Sequence, residues 1–216
     1  MIYDIIKLEV AMEKGIFITV EGTDGSGKTT QIKKMEAYLK DKGYDVILLR
    51  EPGSTRISEK IRSLILDPEN TEMGDTTELL LYAAARAQLI SEIIKPSVEA
   101  GKVVICDRFI DSSLAYQGYG RGINLDTIID INRVAIDGTM PDLTIFFDIS
   151  PEIALERRKA ATSTDRIEKE KMDFHMKVYY GYKSLAAKHP QRIKTVDSTR
   201  GIEEIFDDVR ILLDSF

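Results

Sequence analysis

Gly22-Thr23-Asp24-Gly25-Ser26-Gly27-Lys28-Thr29 follows an apolar run, Ile16 to Val20, and precedes the helical repeat Ile32, Met35, Leu39. The eight residues match G-x-x-x-x-G-K-[ST] in the context that gives the pattern physical meaning, a strand leading through a glycine-rich loop into a helix. Gly22, Gly25 and Gly27 let the backbone take positive φ and approach a phosphate closely. The N–H groups then converge on the anion, and the helix N-terminus adds partial positive charge. Lys28 can reach the β and γ phosphates of a nucleotide as a point charge, and Thr29 can place its hydroxyl on Mg²⁺. The whole loop, with Thr23, Asp24 and Ser26 between the glycines, is the expected ATP cradle. By accident the pattern arises in roughly one chain in a hundred of this length, and the flanking strand and helix lower that further.

Outward from the loop, short β-branched runs alternate with longer amphipathic stretches, which indicates a parallel sheet covered by helices. The expected strands are Ile16 to Val20, Val46 to Leu49, Val103 to Cys106, Leu143 to Phe147 and Ile193 to Val196. Each is nearly continuously apolar, as strands covered on both faces are. The helix after the loop stops at Gly43. A long one runs from Thr76 to Lys95, closed by Pro96, and another from Asn124 to Gly138, with an N-cap and a glycine stop. Ile202, Ile205, Val209 and Leu212 mark a last one. The reading is a single α/β domain over residues 15–216, a three-layer fold with a parallel five-stranded sheet and right-handed crossovers. Residues 1–14 are expected to be an N-terminal extension, and Met12 could serve as an alternative start.

Composition narrows the function classes. The 216 residues hold 30 Lys and Arg against 36 Asp and Glu, a net charge of −6, which disfavours nucleic-acid binding because phosphate neutralisation needs clustered bases. One cysteine, Cys106, permits no intrachain disulfide and no thiolate metal site. No apolar run is long enough to cross a bilayer, and Asp4, Lys7 and Glu9 interrupt any signal-like stretch. A cytoplasmic protein is expected.

A second strand ends in Val103-Val104-Ile105-Cys106-Asp107-Arg108, and an apolar strand closing on Asp is where a carboxylate helps order Mg²⁺ and its waters. Cys106 is expected to pack as a small hydrophobe. There is no N-K-x-D motif and no H-R-D or D-F-G set. What remains is a short kinase acting on a small acceptor, or a motor-like or regulatory nucleotide binder. Tyr82 and Arg86 are spaced i, i+4 and share a helix face, which suits a planar base that one can stack on and the other can hydrogen-bond. On their own they also fit a core tyrosine beside a surface ion pair.

Larger stretches carry a resemblance. EGTDGSGKTTQ at Glu21 to Gln31, REPGST at Arg50 to Thr55, LLYAAARAQ at Leu80 to Gln88, DRFIDSSLAYQG at Asp107 to Gly118, PDLTIFFDIS at Pro141 to Ser150 and DRIE at Asp165 to Glu168 are similar to the thymidylate kinase family from about residue 15 to 213. The resemblance implies the P-loop NTPase fold, phosphorylation of dTMP to dTDP by ATP with Mg²⁺, and a homodimer built from helices on one side of the sheet, to which Leu79, Ile90 and Ile93 could contribute if they are not core. It implies that Arg108 grips the acceptor phosphate and that Tyr82, where the family usually has Phe, stacks on thymine. Arg86 resembles the donor to the base carbonyl, and Ser112 and Ser113 fall where the family reads the base edge and lines the nucleoside pocket. Tyr116 resembles the tyrosine against the sugar, with Gln117 a neighbouring contact. Asp24 matches the loop carboxylate near the sugar 3′-hydroxyl or the metal, and Glu51 sits beside the acceptor. Thr29 and Asp107 would serve the Mg²⁺.

The family divides by the source of its catalytic arginine. Gly25 stands where one branch carries it in the loop, so the branch with a basic lid is favoured. That lid is expected at about residues 157–170, with Arg158 and Arg166 as catalytic candidates beside Lys159, and with Arg157 flanking the donor adenine. Ala160 to Thr164 leave its second half uncharged. By charge pattern alone the cluster also fits a solvated helix end. Kinases for uridylate or adenylate, and a nucleotide-sensing module without catalysis, are the rival readings.

Overall fold

The computed structural model describes residues 14–158 and 165–215. Five parallel strands form one sheet in the order β2-β3-β1-β4-β5: β1 Ile16–Glu21, β2 Val46–Arg50, β3 Val103–Asp107, β4 Leu143–Asp148 and β5 Ile193–Asp197. Each expected strand is found, one residue longer at its C-terminal end. The continuously apolar reading holds for the inner strands, whose side chains are buried on both faces. β2 and β5 lie at the sheet edges and leave Leu48 and Thr195 exposed.

Side-chain alternation along the strands sends residues to two different layers. Ile18, Val20, Val103, Ile105, Ile145 and Phe147 pack on α1 (Lys28–Asp41) and α9 (Ile202–Leu213). Phe17, Val104 and Cys106 pack on the opposite side with Leu89, Ile90, Ile94 and Phe109, while Phe146 joins a third cluster with Tyr116, Val178 and Tyr182. Cys106 is buried, as expected, and burial pushes its thiol well up. The remaining helices are α2 (Arg56–Leu66), α3 (Asp75–Leu89), α4 (Lys95–Glu99), α5 (Ile110–Ser113), α6 (Leu125–Ile136), α7 (Pro151–Arg158) and α8 (Met172–Lys188). The Asn124 side chain caps α6 by accepting from the N–H groups of Asp126 and Thr127, and the helix ends at Asp137 and Gly138, both at positive φ.

The long helix expected to close at Pro96 continues past it. Proline has no N–H to give and its ring crowds the carbonyl four residues back. Ile90–Ile94 is wound as a π-helix, whose bonds span five residues, and Lys95 donates to Ile90 O. Pro96 therefore falls in the first turn of α4, where no N–H is required. A second π-helical segment, Leu114–Gly120, extends α5 and carries Tyr116 and Gln117.

The central switch point, where β1 has β3 on one side and β4 on the other, places the phosphate loop above the carboxyl ends of the strands. The π-helical segment is pressed against α8, and Gly181 is what permits the contact. A Cβ there would sit 2.8 Å from Cγ of Tyr119. Gly181→Ala is expected to destabilise the fold by about 1–3 kcal/mol through this overpacking, read as a lower midpoint in denaturant unfolding.

Candidate active site

The loop glycines have the conformations the motif requires, with φ of 142° at Gly22, 85° at Gly25 and 88° at Gly27. Gly25 also has no room for a side chain: its Cβ would stand 2.1 Å from the carbonyl oxygen of Ala154 on α7. Lys28 is buried and donates to Gly22 O and Thr23 O, each at 2.9 Å. Burial, then repulsion from Arg108, brings its ammonium down to about 8. Lys28 shares one cleft with Thr29, Asp107 and Arg157. Oδ1 of Asp107 is buried with no hydrogen-bond partner among the described residues. A free carboxylate oxygen near a threonine hydroxyl is the donor chemistry a hard divalent cation takes, so Thr29 and Asp107 fit Mg²⁺.

Arg108 stands just past the end of β3 at φ 71°, a left-handed conformation uncommon for a residue with a side chain. Its N–H donates to Val20 O at 2.9 Å, which ties it to β1. Its guanidinium donates to Asp24 Oδ1 at 2.8 Å, to Tyr182 OH at 3.1 Å and to Ser112 Oγ at 3.3 Å, and lies 5.0 Å from the Tyr116 ring centre. Behind it, buried Glu21 accepts from Phe109 N, Ser112 Oγ and Tyr182 OH at 2.8, 2.6 and 2.9 Å. Burial, with the charge of Asp111, pushes the Glu21 carboxyl up to about 7.

The second cavity, about 130 Å³, is lined by Tyr82, Arg86, Ser112, Ser113, Tyr116 and Gln117, among others. The sequence-derived acceptor residues thus converge on one space. Burial pushes the Tyr82 and Tyr116 hydroxyls above the usual phenol range, so both remain protonated. Arg86 is 1% exposed, not the surface ion pair its spacing also allowed. Its Nε and Nη2 engage Glu51 Oε2 at 2.9 and 2.7 Å, Nη1 donates to Ser113 Oγ at 3.1 Å and to Asn132 Oδ1, and Nη2 donates to Phe109 O at 3.0 Å. The guanidinium thus makes four hydrogen bonds within the protein beside its ion pair with Glu51. Burial pushes Glu51 up to about 7, against the pull of Arg86.

Of the basic residues expected in a lid, Arg157 lines the loop cleft and donates to Ser198 O and Thr199 O at 2.7 and 3.1 Å. The Arg158 side chain and residues 159–164, Lys159 among them, lie outside the described residues, as do residues 1–13 of the N-terminal extension. Arg166, expected at the transferring group, lines neither cavity: it donates to Glu78 Oε2 at 2.6 Å and to Ile65 O at 2.9 Å. Two further residues entered through structure alone. Arg62 on α2 lines both cavities and donates to Pro52 O at 2.8 Å. Its signal in the sequence is the i, i+4, i+7 set Ser58, Arg62, Ile65, an arginine on the buried stripe of a helix. Glu21 and its partner Tyr182 had no local signal, because 161 residues separate them.

Asp24, Glu51, Arg62 and Arg108 line both cavities and so mark where the two ligands would meet. The thymidylate kinase family model matches residues 20–209. The thymidylate kinase of Geobacillus sp. (strain WCH70) is 52% identical over 195 residues, 89% of this chain and 93% of that protein. That of Clostridium novyi (strain NT) is 49% identical over 201 residues, covering 92% and 98%. The crystal structure of thymidylate kinase from Ehrlichia chaffeensis superposes with a TM-score of 0.76 at 36% identity, covering 93% of this chain and 98% of that one. With the matched span running from the end of β1 into α9, and so including both cavities, the chain belongs to the thymidylate kinase family.

Proposed function

We propose that the protein phosphorylates dTMP to dTDP, taking the phosphoryl group from ATP on the Gly22–Thr29 loop. The observation that carries this is the shared boundary of the two cavities, with Arg62 and Arg108 on it. Two nucleotides laid end to end would bring their phosphates together at these two guanidinium groups, and in-line transfer asks for little more than that placement and charge neutralisation. Family membership supports the acceptor, and Tyr82, Tyr116 and Gln117 among the lining of the second cavity support a nucleoside.

Lys28, drawn from the loop carbonyls, bridges the β and γ phosphates. Thr29 and Asp107 hold Mg²⁺, which when bound supplies positive charge to the transferring group. Arg108 and Arg62 hold the acceptor phosphate, whose oxygen is already nucleophilic at neutral pH, so no general base is needed. Asp24 orients Arg108 from the loop and sits beside the sugar. Tyr82 forms the stacking wall, Arg86 sets positive charge beside the base carbonyl, and Ser112, Ser113, Tyr116 and Gln117 close the nucleoside pocket. Arg157 flanks the donor. Arg158, at the end of α7, is the lid arginine we assign to the transferring group, and Arg166 anchors the lid's far end. The whole of 15–216 acts as one catalytic domain, with residues 1–14 outside it.

The homodimer is supported by an apolar face on one side of the sheet. Leu79 and Ile90 are 1% exposed and belong to the core. Leu64, Leu80, Ile129 and Val134 are the exposed ones, on α2, α3 and α6, with α3 packed against both neighbours.

A coupled assay with ATP, Mg²⁺ and a panel of monophosphates tests the activity. dTMP is expected to exceed dUMP by the roughly 10–200-fold a single methyl can give, with UMP and AMP far behind. ATP binding without dTDP formation would instead favour a sensor. Lys28→Ala is expected to lower kcat about a hundredfold, roughly 2.7 kcal/mol on the barrier, measured by steady-state kinetics. Arg62→Ala is expected to cut kcat/KM for dTMP by a similar factor while leaving the affinity for ATP, read by equilibrium titration, within about threefold. Sedimentation should show a dimer that Leu80→Glu converts to monomer.

A further inference from the structure

Tyr82 and Arg86 share their face of α3 with Glu78, one turn earlier, and the mechanism above gives Glu78 no part. It is 0% exposed. Its Oε1 accepts from Gln117 Nε2 at 2.8 Å and from Arg121 Nε at 3.3 Å. Its Oε2 accepts from Arg121 Nη2 at 3.0 Å and from Arg166 Nη2 at 2.6 Å. Burial works against its charge, yet the bonds from Arg121, Gln117 and Arg166 hold the carboxyl below its usual range.

An ionised carboxylate has no hydrogen to donate. A glutamine amide has two ends of opposite polarity, and only the nitrogen end can meet Glu78. Gln117 is 2% exposed and lines the acceptor cavity. Committing its nitrogen to Glu78 therefore leaves its oxygen as the group a base can use. Thymine carries a hydrogen on N3, a donor. Cytosine carries a bare N3 at the same place, an acceptor, which an amide oxygen repels. Without the carboxylate the amide could turn over and present its nitrogen, and the distinction would be lost.

We propose that Glu78 is a positioning residue for base selection: it fixes the Gln117 amide so that the acceptor cavity offers an acceptor to N3–H and refuses an unprotonated N3. The proposal builds on the reading of that cavity as the dTMP site. One of the arginines holding Glu78 is Arg166, which precedes α8.

The test compares kcat/KM for dTMP and dCMP, with dCMP measured as a competitive inhibitor if its turnover is below detection. Glu78→Gln is isosteric but lets the facing amide pair reverse. It is expected to shrink the dTMP-to-dCMP ratio at least about tenfold, the equivalent of 1.4 kcal/mol. Gln117→Leu should also shrink the ratio, and adding Glu78→Gln to it should change the ratio no further. A merely structural Glu78 would lower both substrates alike, or lower the ratio again in the Gln117→Leu background, and either result overturns the proposal. If Glu78→Gln does not fold, the wild-type protein answers by NMR. The Gln117 side-chain amide resonances, assigned by their loss in Gln117→Leu, should stay protected and in place when dTMP binds. Loss of protection, or a shift showing that the nitrogen has turned to the ligand, overturns it. Wild-type protein that does not phosphorylate dTMP sinks the proposed function itself; normal turnover with an unchanged ratio in Glu78→Gln sinks this inference alone.

Discussion

Two phosphate groups must come within bonding distance, and both are anions. At roughly 4 Å, two unit charges repel by about 4 kcal/mol in the dielectric of a protein surface, and each phosphate carries more than one. The rest of the site answers this constraint. The loop offers backbone N–H groups, a helix end and Lys28 from one side. Arg62 and Arg108 stand where the two cavities join. Arg108 is held there by its bond to β1, by Asp24, and by the Glu21–Ser112–Tyr182 cluster behind it. Its left-handed backbone lets the chain leave β3 with the guanidinium on the wall that the two cavities share. Positive charge is thus concentrated in a protein whose net charge is −6.

The same economy governs the buried charges around the acceptor cavity. Arg86 and Glu78 are 1% and 0% exposed, and an unpaired charge at such depth is expensive. Neither is unpaired. Arg86 distributes its hydrogens over Glu51, Ser113, Asn132 and Phe109, drawn from the β2 end, α5, α6 and the turn after β3. Glu78 takes donors from the π-helical segment, from Arg121 just beyond it, and from Arg166 ahead of α8. Each charge therefore pulls together elements distant in the chain and gives the cavity walls fixed orientations before a ligand arrives. A pocket that selects by hydrogen-bond polarity needs such fixed walls, since a free amide or hydroxyl would adapt to the wrong base as readily as to the right one.

Much of this was legible in the amino-acid order. Parallel strands buried on both faces must be apolar along their length, so the five runs stood out, and the loop declared itself by glycine spacing that only a phosphate cradle explains. Helix ends with local chemistry were equally plain, as at Asn124 and Gly138. The failures have physical causes too. Pro96 ordinarily ends a helix, and its passage depends on a π-turn that nothing in the local pattern announces. The π-segment carrying Tyr116 and Gln117 had no signature for the same reason. Arg86 read equally well as a surface residue, because its four acceptors come from 23 to 46 residues away. The resemblance supplied the roles of the acceptor residues; the bonds that orient them are long-range and needed the fold.

One close approach limits what the phosphate loop itself can carry. Gly25 faces the carbonyl of Ala154 at a distance that admits no Cβ, and its φ of 85° disfavours one in any case. With α7 packed there, an arginine cannot be supplied from within the loop. Arg157 and Arg158 stand at the end of that helix. Arg166 donates to Glu78 and to the Ile65 carbonyl. α7 is thus fixed against the loop, and Arg166 against a buried carboxylate that also holds Gln117 of the second cavity.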